Sequence, residues 1–217
     1  MAVHTKRQSA PTNWPIERKG TKFIVTPLGS VSEGVPVLVL LRDILKLAEN
    51  RREVKKAIKN QKVLLNHKKI KDVRNTARLF DVITLPGSGK NYKVGLTENG
   101  KFTVEEISEK EAKYKTTKVT NKTLLKGKKT QLNLYDGRNI LQDVECKTGD
   151  SVKVNLKENK IEDTIKLKKG SEIVVFAGKH SGQKGKVEEV DEENQIVSVK
   201  AGDEKFNALI KQIIVIK

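Results

Sequence analysis

The chain has 217 residues, 36% hydrophobic and 4% aromatic, with 44 lysines and arginines against 27 acids and a net charge of +17. That leaves room for two or three small domains but thin apolar material for one enzyme-sized core, and it makes a polyanion the expected partner. A single cysteine, Cys146, excludes an internal disulfide framework and a cysteine-rich zinc site.

Residues 1–36 read as an N-terminal extended arm. Pro11, Pro15 and Gly20 argue against a helix, and residues 1–22 carry +4 from Lys6, Arg7, Arg18, Lys19 and Lys22 against Glu17. Nothing in the first 25 residues has the apolar run of a signal peptide. Trp14, the only tryptophan, either anchors the arm on a domain or stacks on a base. The longest apolar stretch, 35–48, is broken by Arg42 and Asp43 and falls short of the ~20 apolar residues of a membrane span. No membrane partner is expected.

Residues 37–107 read as a small module of two helices plus hairpins. Pro36 fits a first helical turn, followed by an apolar face of Leu40, Leu41, Ile44, Leu45, Leu47 and Ala48. Asn50 and Glu53 predict a capping box for a second helix that buries Val54, Ala57 and Ile58. Arg51, Lys55 and Lys59 then fall at i, i+4 and i+8 on one exposed face, extended by Arg52 and Lys56. Residues 62–72 predict a hairpin around Asn66–His67, residues 77–85 a strand, and residues 93–107 a hairpin turning at Asn99–Gly100.

Residues 108–170 read as a central β domain. Residues 113–129 hold seven lysines and no acid, residues 131–141 turn at Asp136–Gly137, and residues 150–156 alternate as a strand. Residues 171–217 predict another all-β domain, with a hairpin of 185–190 and 195–199 around an acidic loop, Glu188–Glu193, and a last strand at 212–216.

Catalytic chemistry is not legible. His4, His67 and His180 lack metal-ligand spacing, and Cys146 reads as a half-buried strand-end residue without a nucleophile partner. Residues 85–93 contain Gly87, Gly89 and Lys90 but fail the phosphate-loop spacing, and read as a loop carrying Lys90 and Lys93. No catalytic residue, cofactor or metal is expected.

Three footprints suit phosphate tracking instead. The first spans residues 50–78, with eleven basic residues against Glu53 and Asp72: Arg51, Arg52, Lys55, Lys56 and Lys59 on the helix, and Lys62, Lys68, Lys69, Lys71 and Arg74 after it. The second is the glycine loop 176–186, where Gly178, Gly182 and Gly185 would let backbone approach a ligand beside Lys179, His180, Lys184 and Lys186. The third is Arg138 on a tight turn, which either reaches a phosphate or base edge or is held locally by Asp136. Lys6, Arg7 and Arg18 of the arm complete the candidate set. Low aromatic content favours recognition of RNA by shape and backbone over base stacking.

Five blocks resemble the archaeal and eukaryotic small-subunit ribosomal protein S-four-e family, in one order across 1–217. They are residues 4–27 (HTKRQSAPTNWPIERKGTKFIVTP), 40–58, 62–74, 127–140 and 171–190 (SEIVVFAGKHSGQKGKVEEV). The length suits an archaeal-type member. The resemblance departs at residues 74–83, where Arg78 stands in place of a usual glycine, and at Lys179, where relatives often carry Asn or Arg.

It implies a multidomain α+β fold: a small helical-plus-hairpin RNA-binding module, a β-rich central domain and a C-terminal KOW-type small β-barrel. It implies a structural constituent of the small ribosomal subunit that binds ribosomal RNA and supports its folding and subunit assembly. Partners are then small-subunit ribosomal RNA and neighbouring small-subunit ribosomal proteins, with no homo-oligomer, and the location is cytoplasmic and ribosome-associated. The alternative is a free RNA-modification or RNA-chaperone accessory factor built from the same modules.

Overall fold

The structure is a computed structural model that describes residues 4–127, 129–202 and 204–217. Residues 1–3 of the arm and Lys128 of the lysine run therefore lie outside the described residues. The chain forms two compact units, one of residues 1–97 and 101–112, the other of residues 98–100 and 113–217.

In the first unit the arm is folded back, not extended. Strand β1 (Thr5–Lys6) pairs antiparallel with β2 (Phe23–Ile24). The Arg7 guanidinium donates to the Thr21 carbonyl, the Glu17 carbonyl and Thr21 Oγ1, each at 2.8 Å. Trp14 is only 2% exposed, inside the unit's core, and its Nε1–H donates to the Gly34 carbonyl at 3.0 Å. Of its two sequence readings, the structure takes the anchor; the buried ring has no face for a base.

Strand β3 (Gly34–Pro36) leads into α1 (Val37–Val39), which continues as a π-helical turn over Leu40–Ile44. Pro36 precedes the helix as its N-cap because its ψ of 140° is still extended. The apolar face ends earlier than its spacing suggests. Lys46 adopts φ +52°, and the Leu47 N–H closes onto the Leu41 carbonyl at 2.9 Å, a left-handed stop after the π turn that leaves Leu47 53% exposed.

Helix α2 (Arg51–Lys59) starts as its sequence dictates: Asn50 Oδ1 accepts the Glu53 N–H at 3.0 Å. The return arm of the box differs. Glu53 accepts the Glu49 N–H at 2.8 Å and the Asn50 side-chain amide at 2.7 Å. Val54 and Ile58 are buried and Ala57 half-buried, which rolls the basic row outward.

Strands β4 (Leu64–Leu65) and β5 (Lys68–Lys69) form the expected hairpin, with Asn66 and His67 at φ +51° and +59° as a type I′ turn requires. The strand expected at 77–85 is two: β6 (Thr76–Arg78), which pairs with β3, and β7 (Val82–Leu85), which pairs with β4. Phe80 at φ +62° breaks it. Asp81 makes the break stable by accepting the Arg78 N–H at 2.6 Å and the Asn66 amide at 2.8 Å, while Asn66 Oδ1 accepts the Val82 N–H at 3.0 Å. Strands β8 (Lys90–Leu96) and β9 (Phe102–Ile107) complete the sheet in the order β5-β4-β7-β8-β9. Lys90 and Lys93 belong to β8, not to a loop, with Lys93 Nζ 4.6 Å from the Phe80 ring centre.

The second unit contains two five-stranded antiparallel sheets. Strands β10 (Tyr114–Leu124), β11 (Thr130–Leu134), β12 (Asn139–Leu141), β13 (Ser151–Asn155) and β14 (Lys160–Ile165) run in the order β12-β11-β10-β13-β14. Strands β15 (Glu172–Val175), β16 (Lys184–Asp191), β17 (Ile196–Ala201), β18 (Glu204–Leu209) and β19 (Ile213–Val215) run in the order β18-β17-β16-β15-β19. Residues 188–191 therefore belong to β16, and the expected acidic loop shrinks to the turn after it. Each sheet has its own apolar cluster. Cys146 is buried in the first sheet's cluster, from the loop between β12 and β13 and not from a strand end.

Polar ties join the two sheets of this unit. Ser151 Oγ accepts the Val215 N–H at 2.8 Å, Asp150 accepts the Leu167 N–H at 2.9 Å, and the Lys118 ammonium donates to the Ile210 carbonyl. Burial pushes the Lys118 pKa down to about 8, from the ordinary lysine value of 10.5.

These interactions are testable at Asn66 and at Lys118. Asn66→Ala removes a side chain that tolerates positive φ and orphans buried partners, so it should destabilise the first unit by roughly 2–4 kcal/mol. Urea unfolding followed by Trp14 fluorescence reads it; a change within error would show that the Asn66–Asp81 pair does not hold the break. For Lys118, the unfolded chain binds a proton that the folded chain has lost between pH 8 and 10.5. The Lys118 contribution to stability therefore rises with pH across that window, and its burial cost is fully present below it. Lys118→Met should be more stable than the parent at pH 7, with the gap closing towards pH 10. Comparing the two proteins cancels Cys146, whose thiol is pushed up by burial and has the opposite slope. A gap independent of pH would contradict the assignment.

Candidate nucleic-acid interface

Helix α2 places its basic row beside its buried stripe, not opposite it. At about 100° per residue, Arg51 and Lys55 border the face that Val54 and Ile58 bury, and Lys59 lies further round at the end of the helix. The segment after β5 crosses in front of that border. Arg51, Lys55, Lys59, Lys69 and Lys71 line one concavity, floored by Ile58, Ile70 and Val73, with Asp72 as its single carboxylate. The structure thus brings together five residues that are up to twenty positions apart in sequence.

The electrostatics of this groove are unbalanced. Arg51 and Arg52 occupy the first two helical positions, where the helix dipole already presents positive potential. Burial raises the Asp72 carboxyl, but hydrogen bonds and charge from Arg74, with the charge of Arg51, outweigh it and hold Asp72 below the usual carboxylate range. Asp72 stays ionised and fixes Arg74 through a 3.0 Å ion pair. No ion pair accompanies Lys55, Lys59, Lys69 or Lys71 among the described residues.

A second concavity continues the first, sharing Arg51 and Asp72 and adding Arg74, Arg7, Arg42 and His4. Arg42 and His4 are additions to the sequence-derived set. The trace of Arg42 in the sequence is its interruption of the apolar run 35–48; His4 left no local signal. Lys62 and Lys68 are exposed outside both concavities, as are Arg52 and Lys56 on the outer side of α2. Lys6 is exposed on β1. Arg7 is committed to the arm's own carbonyls, and Arg18 donates to the Gln8 carbonyl at 3.1 Å.

In the second unit, Lys179 is exposed on the glycine loop, while His180 stacks on Phe206 at 4.3 Å and bonds Gln183 at 3.0 Å. Lys184 and Lys186 are not on the loop but two apart on β16, so they share one exposed face. Lys200 stands opposite Lys186 on β17 and joins them in a groove, a residue the sequence reading missed although strand alternation could have placed it.

Gly185 corrects an expectation. A Cβ there would lie 2.6 Å from the Lys200 carbonyl, so its missing side chain serves strand packing inside the protein. Gly182, at φ +93°, serves the turn itself. Arg138 follows its structural reading. Asp136 is buried, which raises its carboxyl, but Lys115 at 3.0 Å and Arg138 at 3.3 Å outweigh that and hold it low. The Arg138 guanidinium is thereby occupied.

Five cations against one carboxylate leave the first-unit groove with net positive charge. Among the described residues no group of three or more His, Cys, Asp or Glu side chains could hold a metal ion, and no helix is long and apolar enough to cross a membrane.

Comparison with known proteins is consistent along the chain. The RS4NT (NUC023) domain matches residues 2–28, the S4 domain residues 37–83, the ribosomal family S4e residues 88–161, and the KOW motif residues 169–200. The first-unit groove falls within the S4 match. A small ribosomal subunit protein eS4 from Methanocella arvoryzae is 43% identical over 190 residues, covering 86% of this chain and 80% of the relative. The eS4 of Methanococcus maripaludis is 35% identical over 229 aligned positions, covering 98% and 93%. The crystal structure of 30S ribosomal protein S4e from Thermoplasma acidophilum superposes with a TM-score of 0.72 at 27% identity, covering 85% of this chain and 95% of that one. Relatives 43% and 35% identical, matched over 80% and 93% of their own length, leave one conclusion: the chain belongs to the small ribosomal subunit protein eS4 family.

Proposed function

We propose that the protein is a structural, non-enzymatic component of the small ribosomal subunit, in the cytoplasm, that binds ribosomal RNA and supports its folding and subunit assembly. The observation that carries this reading is the groove in which Arg51, Lys55, Lys59, Lys69 and Lys71 converge with one carboxylate between them. A concentration of cations that the protein leaves uncompensated is stabilised by a polyphosphate backbone. Arg74, Lys6, Arg52, Lys56, Lys62 and Lys68 extend the contact, and Lys179, Lys184 and Lys186 supply a second one. Arg7, Arg18, His180 and Arg138 act by holding local structure. In this reading the arm precedes an RNA-binding module at 37–107, a central β domain at 108–170 and a KOW-type domain at 171–217. Neighbouring ribosomal proteins complete its surroundings, and it works as a single copy.

Replacing Arg51, Arg52, Lys55 and Lys56 together by Ser should leave the melting temperature unchanged, or slightly raised by relief of like-charge repulsion. The slope of log K against log salt for small-subunit RNA should fall by about 0.7–0.9 for each phosphate that the variant no longer binds. An unchanged slope would place the binding charges elsewhere.

The second reading is an accessory factor that visits the RNA. Gradient sedimentation separates them: a structural component stays near one copy per small subunit after moderate salt washing, whereas substoichiometric, easily stripped protein would favour the accessory factor.

A further inference from the structure

The second concavity of the first unit is built from arginine in a chain built from lysine. Of the 44 basic residues 36 are lysines and eight are arginines. Yet Arg7, Arg42, Arg51 and Arg74 line this concavity and no lysine does. A site that needed positive charge alone would draw mostly on lysine here. Arginine adds a planar fork that binds a phosphate through two donors and stacks on flat rings. Three of the four are held in place. Arg42 is gripped by Asp43 through Nε at 2.8 Å and Nη2 at 2.9 Å, Arg74 Nε donates to Asp72 at 3.0 Å, and Arg7 is tied to carbonyls of the arm.

An aromatic ring meets the arginines at the same place. Among the described residues Phe23 is the one aromatic side chain that is exposed, at 49%, and it lines this concavity from β2. The His4 ring leans against it with centres 5.6 Å apart, and Lys22 Nζ lies 5.4 Å from its centre. Asp72 is the third component. Its two oxygens accept the backbone and side-chain N–H of Arg74, and each retains room for a further bond. A bare phosphate gains nothing from a carboxylate in its site, whereas a nucleobase edge carries N–H donors that do.

We propose that this concavity, of about 510 Å³, holds a single unpaired nucleotide of the small-subunit RNA, turned out of its helix. The base stacks on Phe23 and gives its N–H donors to Asp72, and the phosphates on either side meet Arg42, Arg51 and Arg74. Loops and bulges display such bases, and aromatic rings and guanidinium planes receive them. The volume lies in the range of sites that enclose small ligands. A regular helical backbone would use the arginines and leave Phe23 and Asp72 without a role. An acidic segment of a neighbouring protein would be repelled by Asp72 and has no need of a flat ring. The proposal rests on the ribosomal RNA-binding reading above and adds a base contact that the α2 groove, with no aromatic residue in its lining, does not make.

The test compares full-length variants in binding to small-subunit RNA. Phe23→Leu removes an exposed ring, so the melting temperature should stay unchanged while affinity drops about tenfold at an unchanged slope of log K against log salt. Phe23→Tyr keeps the ring and should bind as the parent does. Unchanged affinity in Phe23→Leu, an equal loss in Phe23→Tyr, or a loss accompanied by a lower melting temperature would overturn the pocket. A second readout uses assembled small subunits in which the photoreactive p-benzoylphenylalanine replaces Phe23 and, separately, Lys59. Cross-linking of position 23 to RNA at one nucleotide is the expected result. A cross-link from 23 to a protein, or none, while position 59 still reaches RNA, would overturn the nucleotide pocket alone. RNA cross-links from neither position would overturn the RNA-binding reading itself.

Discussion

Uncompensated positive charge is the constraint on which the first unit depends. Eleven cations and two acids share residues 50–78, so the segment repels itself wherever its cations converge. It is held by contacts that do not involve the cations. Val54 and Ile58 fix α2 to the core, the Asn50–Glu53 cap fixes its start, and the Asn66–Asp81 bonds fix the hairpin that turns the chain back in front of it. Asp72 is the one carboxylate inside the concavity, and it restrains Arg74 without neutralising the lysines. Packing thus supplies the geometry, and the groove keeps its net positive charge.

The second unit handles charge differently. Lys115 and Asp136 are buried together, with Arg138 covering them, and Lys118 is buried against a backbone carbonyl. The buried Lys115–Asp136 ion pair costs desolvation and is a weak source of stability, but removing one of its partners is strongly destabilising, whereas Lys118 bears its burial cost against a neutral carbonyl. Their placement at the turn after β11 and between the two sheets makes them geometric locks. The same strand, β10, therefore contributes the buried structural lysines Lys115 and Lys118 in its first half and one exposed lysine, Lys122, in its second.

Features of the sequence were legible where their causes are local. The α2 cap, the positive-φ turn at Asn66–His67 and the turn at Gly137 could be read because each needs only its own few residues. The break at Phe80 could not, since it is stabilised by Asn66, fifteen positions from Asp81. Leu47 matched the helical spacing but fell beyond a stop made by Lys46, a residue type that gives no such signal. The basic row of α2 was visible as a periodicity, yet its convergence with Lys69 and Lys71 is a tertiary fact. Gly185 and Lys118 resisted reading for the same reason: Gly185 packs against the Lys200 carbonyl and Lys118 bonds the Ile210 carbonyl, both set by how strands pair and sheets meet.

Membership of the eS4 family and the groove within the S4 match lead to one central claim, that the concavity beside α2 is an RNA-backbone site. Electron cryo-microscopy of small subunits containing this protein measures it directly. The account predicts RNA phosphates within hydrogen-bonding distance of Arg51, Lys55, Lys59, Lys69 and Lys71. A groove open to solvent, or filled by another protein while the RNA lies elsewhere, would contradict it.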